Sequence, residues 1–171
     1  MPAPIDESRY HMAHAPKIGD TVRDFRLPGG HLDGETFHRR DYTLSEQRGK
    51  PLVLAFYPGD DTPVCTAQLC SYSDGLDALQ SAGATVWGIS PQGLDSHEHF
   101  ARDRNLRMPL LSDHGRRVAK SFGIAAPLIG LRRAVFILTG AGRLHWKHVT
   151  AVGATYPPAT ILAAQLAELT A

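Results

Sequence analysis

The two cysteines of this chain are the residues whose types and spacing first suggest chemistry. Cys65 and Cys70 are five positions apart, in a segment that follows the apolar run of residues 51–57. Thr62 and Pro63 precede them, and these residue types suit the N-cap and the first position of a helix. Cys65 would then lie in the first helical turn, where free backbone N–H groups and the helix dipole favour a thiolate, the nucleophilic form of cysteine.

The composition places these thiols in an ordinary globular chain. Its 171 residues, 43% hydrophobic and 20% charged, are most simply one domain. A balance of 18 basic and 17 acidic residues gives no reason to expect nucleic acid or an anionic membrane as a partner. The apolar runs are far shorter than the roughly 18 residues that cross a bilayer. Two cysteines exclude a disulfide-stapled mini-protein and a zinc module built on four cysteines.

Apolar runs and turn residues predict an α/β fold. Strands are predicted at residues 21–27, 35–37, 51–57, 84–90, 109–111, 133–138 and 143–149. Helices are predicted at residues 62–81, 95–105, 115–122 and 157–169, with one helical turn at residues 43–47. Pro28-Gly29-Gly30 is typical of a turn, and Asp33-Gly34 of a β-hairpin. Strands that alternate with helices indicate a mixed sheet with helices on both faces.

The first 15 residues are predicted to form a flexible tail before a single domain at residues 16–171. The tail is polar and mixed, and it lacks the apolar stretch of about 7–15 residues found in a secretory signal. We therefore expect a cytoplasmic protein. In the cytosol, neighbouring cysteines are more often catalytic or metal-binding than structural.

The residues around Cys65 form the pattern Pro58-x-x-x-Thr62-x-x-Cys65, which resembles the active-site signature of the peroxiredoxins. The spacing of Cys65 and Cys70 resembles the bacterioferritin comigratory protein, or peroxiredoxin Q, subgroup. Other stretches that resemble the family are residues 56–60, 88–100 and 110–113 and the motif Arg133-x-x-Phe136. The resemblance covers residues 17–169, nearly the whole chain outside the tail.

This resemblance implies a fold and a reaction. The fold would be thioredoxin-like, with a central mixed β-sheet flanked by helices and an N-terminal β-hairpin extension. The reaction would be reduction of hydrogen peroxide or organic hydroperoxides, with no cofactor or metal. By position, Cys65 would be the peroxidatic cysteine and Cys70 the resolving cysteine that forms a disulfide with it. Thioredoxin or a similar dithiol would recycle the disulfide, and the protein would be a monomer or a weak homodimer.

The resemblance also assigns residues that hold the peroxide. Thr62 and Arg133 would act with the Cys65 backbone N–H, and Pro58 and Val64 would line the substrate site. Arg132 is adjacent to Arg133, but the Arg-x-x-Phe spacing favours Arg133. Five departures bear on substrate preference and thiolate reactivity, three of them being Gln92, the pair Ala134-Val135 and Thr139. Val64 stands where the subgroup commonly has Gly, and Gln68 stands where many members have Glu.

Two alternatives to a peroxidase remain open from the residues. The first is a thiol–disulfide oxidoreductase or a redox-binding module of the same fold, although the usual Cys-x-x-Cys is absent. The second is a zinc or iron site that uses both cysteines. None of the nine histidines stands at a ligand spacing from Cys65, and His97 and His99 are predicted to lie on a solvated helix face.

The implied disulfide predicts that the helix around Cys65 unwinds. Residues five apart on an α-helix have Cα atoms about 8–9 Å apart, whereas a disulfide tolerates at most about 7 Å. We therefore expect two separate thiols in the reduced protein and unwound first turns in the oxidised protein. A crystal structure of the oxidised protein checks this. A Cys65–Cys70 disulfide with residues 63–76 still fully helical would contradict it.

Overall fold

A computed structural model describes residues 15–126, 130–150 and 155–169, so the predicted tail lies outside the described residues except for Ala15. Within them, strands β1 to β9 span Arg26–Asp33, Thr36–Thr43, Leu52–Phe56, Thr85–Ser90, Leu110–Ser112, Ala125–Ala126, Gly130–Leu131, Ala134–Leu138 and Leu144–Val149. Helices α1 to α5 span Pro63–Asp74, Leu76–Ser81, Leu94–Arg104, Arg117–Ser121 and Ala159–Glu168, and a 3₁₀ turn covers Leu44–Gln47.

Seven of these strands form one mixed sheet in the order β2-β1-β5-β4-β3-β8-β9. Strands β3, β4 and β5 are parallel, whereas the β1–β2 hairpin at one edge and the β8–β9 hairpin at the other run antiparallel to their neighbours. Strands β6 and β7, which were not predicted, form a separate two-stranded sheet. The predicted fold class, a central mixed sheet with flanking helices and an N-terminal hairpin, is confirmed.

Strand alternation divides the apolar core into two layers, one on each face of the sheet. In β3, Val53 and Ala55 belong to the first layer, while Leu52, Leu54 and Phe56 belong to the second. Residues of α1, α2, α3 and α5 complete the first layer, and residues of α4 contribute to the second. Because both faces are covered, all five residues of β3 are buried, as the continuous apolar run predicted.

The two tryptophans lie in different layers. Trp87 is buried in the second layer, where its ring meets the rings of Phe25 and Tyr42 edge to face. Trp146 is partly buried, packs against the first layer and stacks on the ring of His148. The two tryptophans therefore pack on opposite faces of the sheet.

The predicted turn at Pro28-Gly29-Gly30 is wrong, because these residues lie inside β1. The two glycines permit close packing of aromatic rings rather than a change of chain direction. A Cβ on Gly29 would lie 2.9 Å from a ring carbon of Tyr42, and a Cβ on Gly30 would collide with the ring of Phe37. The strand predicted at residues 21–27 also begins too early. Strand β1 starts at Arg26, and Thr21 makes only an isolated bridge with Arg143.

The predicted helix over residues 62–81 is two helices, α1 and α2, which meet at Gly75. Gly75 lies against the start of α5, where a Cβ on Gly75 would approach the Cβ of Ala159 to 2.8 Å. The apolar spacing of Leu69, Leu76 and Leu79 continues across the break, so periodicity alone did not reveal it. The break limits the helix that carries both cysteines to twelve residues.

We expect Gly30→Ala to destabilise the protein, because the new Cβ would lie 2.6 Å from Phe37 Cζ. Overpacking of this kind costs about 1–3 kcal/mol of unfolding free energy, which urea denaturation measures. Gly115→Ala is the matched control, since its Cβ would meet only Arg117 Cγ, at 3.9 Å. Equal stability of the two variants would contradict the packing explanation.

Candidate active site

Cys65 lies in the first turn of α1, directly after the loop that leaves β3. Thr62 occupies the N-cap position with extended backbone and Pro63 is the first helical residue, but the Thr62 side chain makes no capping bond. Its hydroxyl instead donates to the carbonyl oxygen of Gly59 at 3.2 Å. Cys65 is 1% exposed and belongs to the first core layer, so its side chain is buried at the helix end where backbone N–H groups lack helical partners.

Strand alternation decides which arginine reaches this sulfur. Ala134 pairs with Phe56, so the residue before β8 lies next to the end of β3. Val135 belongs to the first core layer, and Arg133, two positions earlier, faces the same side. Arg133 Nη2 donates to Cys65 Sγ at 3.2 Å, whereas Arg132 Nε donates to the Thr150 carbonyl at 3.4 Å. The structure therefore brings Arg133, not Arg132, to the thiol.

The guanidinium of Arg133 is a buried charge, with 8% of the residue exposed. Its Nη1 donates to the side-chain oxygen of Gln68, while its Nε has no hydrogen-bond partner among the described residues. Arg133 thus places a fixed positive charge within hydrogen-bond distance of the sulfur, and charge-assisted hydrogen bonds are about twice as strong as neutral ones. A guanidinium has five N–H donors, so three of them remain beyond those given to Gln68 and Cys65.

Gln68 connects Arg133 to the segment before α5. Its Nε2 donates to Tyr72 Oη at 3.5 Å, and Tyr72 donates in turn to the Pro157 carbonyl at 2.6 Å. Burial raises the pKa of Tyr72 well above its usual range, so the phenol keeps the proton that it donates. Sequence reasoning noted Gln68 only as a departure from Glu. The spacing of Cys65, Gln68 and Tyr72, three and seven positions along one helix face, could have identified it.

Cys70 lies on the same unbroken α1, and both cysteines are free thiols. Cys70 is half-buried, and burial raises the pKa of its thiol while Arg104 opposes the shift. Intact helix geometry keeps this thiol away from Cys65. Pro58 and Val64, predicted to line the substrate site, are half-buried, and Thr62 is exposed.

The prediction that His97 lies on a solvated helix face is wrong. Its side chain is 0% exposed, and its Nδ1 lies 2.7 Å from the buried carboxylate of Asp60. The positions of Leu94, Phe100 and Ala101 give the missed signal, because His97 falls within their stripe on α3. His99 is exposed, as predicted.

Metal-binding clusters and membrane-spanning helices are both absent from the part of the chain that the structure describes. Across residues 15–126, 130–150 and 155–169, no three His, Cys, Asp or Glu side chains are grouped so that they could hold a metal ion. Across the same residues, no helix is both long and apolar enough to cross a membrane.

Comparison with known proteins identifies the family. Residues 18–147 match the sequence profile of the AhpC/TSA family. The chain belongs to this family. It is 44% identical over 91 residues to the chloroplastic peroxiredoxin Q of Sedum lineare, a match that covers 53% of the chain and 49% of that relative. The chain thus spans about half the length of the curated relatives that it matches.

Solved structures of related proteins are similar to this AhpC/TSA family member over nearly its whole length. A mutant of peroxiredoxin Q from Xylella fastidiosa has 26% identity and a TM-score of 0.77, covering 92% of this chain and 99% of that chain. The AhpC of Enterococcus faecalis has a TM-score of 0.82 at 23% identity, covering 91% and 93% of the two chains. That second likeness shows the fold alone. Together with the curated relatives, the first supports the peroxiredoxin Q subgroup within the family.

Replacement of Gln68 with Met should destabilise the protein in its reduced form. The substitution removes the oxygen that accepts from Arg133 Nη1 at a buried position. Leaving a buried polar group unpaired costs about 1–3 kcal/mol, more for a charged one. Urea denaturation measures the loss, with Gln80→Met on the exposed face of α2 as the matched control. Equal unfolding midpoints for the two variants would show that Gln68 does not hold the guanidinium.

Proposed function

We propose that this protein is a thiol-dependent peroxidase that reduces hydrogen peroxide, organic hydroperoxides or both. The observation that carries the proposal is the 3.2 Å contact between Arg133 Nη2 and Cys65 Sγ. It gives a buried cysteine at a helix start the charged partner that a reactive thiolate needs. The names of the peroxiredoxin Q relatives support the same activity.

In the proposed reaction, the Cys65 thiolate attacks one oxygen of the hydroperoxide. A sulfur–oxygen bond forms as the oxygen–oxygen bond breaks, so that sulfur is oxidised by two electrons to a sulfenic acid. The leaving hydroxide or alkoxide takes a proton and departs as water or an alcohol. Arg133 stabilises the negative charge that moves from sulfur to the leaving oxygen. The Thr62 hydroxyl, which donates to Gly59, has lone pairs free to accept a hydrogen bond from the peroxide O–H.

Cys70 is proposed to resolve the sulfenic acid. Its thiolate attacks the Cys65 sulfur, a disulfide forms, and the sulfenic oxygen leaves as water after protonation. This step needs α1 to unwind, and the far end of α1 is held by other elements. Arg107 donates its backbone N–H to Ser73 Oγ at 3.2 Å and its Nη2 to the Ser73 carbonyl at 3.1 Å. We infer that unwinding ends before Ser73. Thioredoxin or a similar dithiol would then reduce the disulfide.

The proposal also covers the cellular location and the oligomeric state. We propose a cytoplasmic location, while the curated relatives are named chloroplastic. We also propose a monomer or a weak homodimer.

A thiol–disulfide oxidoreductase or redox-binding module without peroxidase activity is not favoured, because the relatives are named peroxiredoxins and the cysteines do not form a Cys-x-x-Cys motif.

The test is to mix reduced protein with one equivalent of hydrogen peroxide or of an organic hydroperoxide and to count the remaining thiols. We expect loss of both thiols in the parent, no peroxide consumption in Cys65→Ser, and a single turnover that stops at the sulfenic acid in Cys70→Ser. Arg133→Met should slow the first step by about 100-fold or more, the typical effect of removing one preorganised donor. Arg132→Met, which removes a neighbouring positive charge, is the matched control.

Peroxide consumption by Cys65→Ser, or none by the parent, would overturn the proposed function. Insulin reduction by the parent without peroxide consumption would favour the thiol–disulfide oxidoreductase instead. Equal rates in the two arginine variants would leave peroxidase activity in place but remove the role of Arg133.

A further inference from the structure

A buried polar cluster holds the loop between β3 and α1, and the proposed chemistry does not use it. Its centre is the carboxylate of Asp60, whose side chain is 1% exposed, paired with the fully buried ring of His97 on α3. Buried ionisable groups are costly unless every polar atom finds a partner, so the bonds of this pair indicate what it does.

Four hydrogen bonds converge on Asp60. Its Oδ1 accepts from the Tyr57 hydroxyl at 2.7 Å, and its Oδ2 accepts from Ser96 Oγ at 2.7 Å and lies 2.7 Å from His97 Nδ1. Its backbone N–H donates to the side-chain oxygen of Gln92. A separate bond, from His97 Nε2 to the Leu111 carbonyl at 3.1 Å, fixes the ring that faces Asp60. The loop is thereby joined to the start of α3 and to β5.

The acceptors around His97 determine the charge of the pair. A carbonyl oxygen only accepts, so the bond to Leu111 requires a proton on Nε2. The 2.7 Å contact between Nδ1 and Asp60 Oδ2 then requires a second proton between these atoms. Whether this second proton lies on His97 or on Asp60, the two side chains together carry no net charge. Tyr57 does not supply a second negative charge, since burial, and then Asp60, raise the pKa of its phenol well above the usual range.

Asp61, the residue after Asp60, has a backbone conformation that favours glycine. Asp61 has a φ of 59°, in the left-handed region where non-glycine residues are uncommon. Such a conformation persists only where the surrounding structure over-determines it. Asp60, which precedes Asp61, is fixed by its hydrogen bonds. Thr62, which follows Asp61, is fixed by the first bond of the helix, in which its carbonyl accepts from the Thr66 N–H at 2.8 Å.

We propose that Asp60 is a positioning residue for peroxide reduction. Through the proton that it shares with His97, it holds the left-handed turn at Asp61 and thereby sets Thr62 and the first turn of α1, which carries Cys65. It touches neither the sulfur nor the peroxide. The kinetic part of this inference rests on the proposed function, whereas the conformational part does not.

The kinetic test uses the Cys70→Ser protein as parent, so that only sulfenic acid formation is observed. Reaction with limiting hydrogen peroxide is quenched with a sulfenic-acid trap and quantified by mass spectrometry. Asp60→Ala should slow this step by roughly 10- to 100-fold, as expected when a reacting group is displaced by about 1 Å. Asp33→Ala, which removes an exposed carboxylate from the β1–β2 hairpin, is the matched control.

Two further variants separate positioning from a general loss of structure. Asp60→Asn should react at least about fivefold faster than Asp60→Ala, because an amide can accept from Tyr57 and donate to a neutral His97. Adding Asp61→Gly to Asp60→Ala should restore part of the rate, since glycine adopts the left-handed turn without strain. A role in stability alone predicts no such rescue by Asp61→Gly.

The conformational test is hydrogen exchange of the Thr66 amide in reduced protein, which needs no activity. Asp60→Ala should exchange faster at Thr66 than Asp33→Ala does. Should Asp60→Ala fail to fold, the double variant Gln92→Ala/Ser96→Ala replaces it, because it removes two bonds to Asp60 from half-buried positions and should speed the same exchange.

The outcomes distinguish this inference from the proposed function. If the Cys70→Ser parent forms no sulfenic acid, the proposed function fails and exchange at Thr66 alone decides the positioning role. If the parent reacts and Asp60→Ala reacts equally fast, the positioning role is overturned and the peroxidase stands. Unchanged Thr66 exchange in Asp60→Ala, or in the double variant where that is used, also overturns it.

Discussion

A guanidinium buried beside a buried thiol is the contact on which the rest of the structure depends. A charge removed from water is tolerated only where neighbouring groups replace its hydration, and here those groups come from distant parts of the chain. Cys65 and Gln68 come from α1 and occupy two of the donors of Arg133. Tyr72 then ties this arrangement to the Pro157 carbonyl. The sheet register, the face of α1 and the segment before α5 must all be correct for this contact to form.

The same helix that carries the sulfur is fastened at each end by side chains from other elements. Before it, Asp60 is tied to α3 through Ser96 and His97. At its end, Ser73 is tied to Arg107. Between these points, α1 is tied to the sheet by the contact of Cys65 with Arg133, and Gln68 and Tyr72 tie it to Arg133 and to the Pro157 carbonyl. The proposed unwinding would therefore break the contact of Cys65 with Arg133 while the bonds of Ser73 stay in place.

The fold and the centre of the site were predictable because they depend on strong local signals. The apolar run before Cys65 identified β3, and the helix signals of Thr62 and Pro63 placed Cys65 in its first turn. The missed features depend on contacts between residues far apart in sequence. The glycines of β1 are there for the rings of Tyr42 and Phe37, which periodicity does not show. His97 was placed in solvent by its residue type, although its partner, Asp60, lies 37 positions away.

The different layers of the two tryptophans have a practical consequence for following this protein in solution. Trp146 packs against the first core layer, to which α1 also contributes, so we expect its emission to change when that helix unwinds. Trp87 lies in the second layer, among Phe25 and Tyr42, on the other face of the sheet, so we expect a smaller change there. Single-tryptophan versions would therefore give one optical reporter for the reacting side and one internal reference for the opposite face.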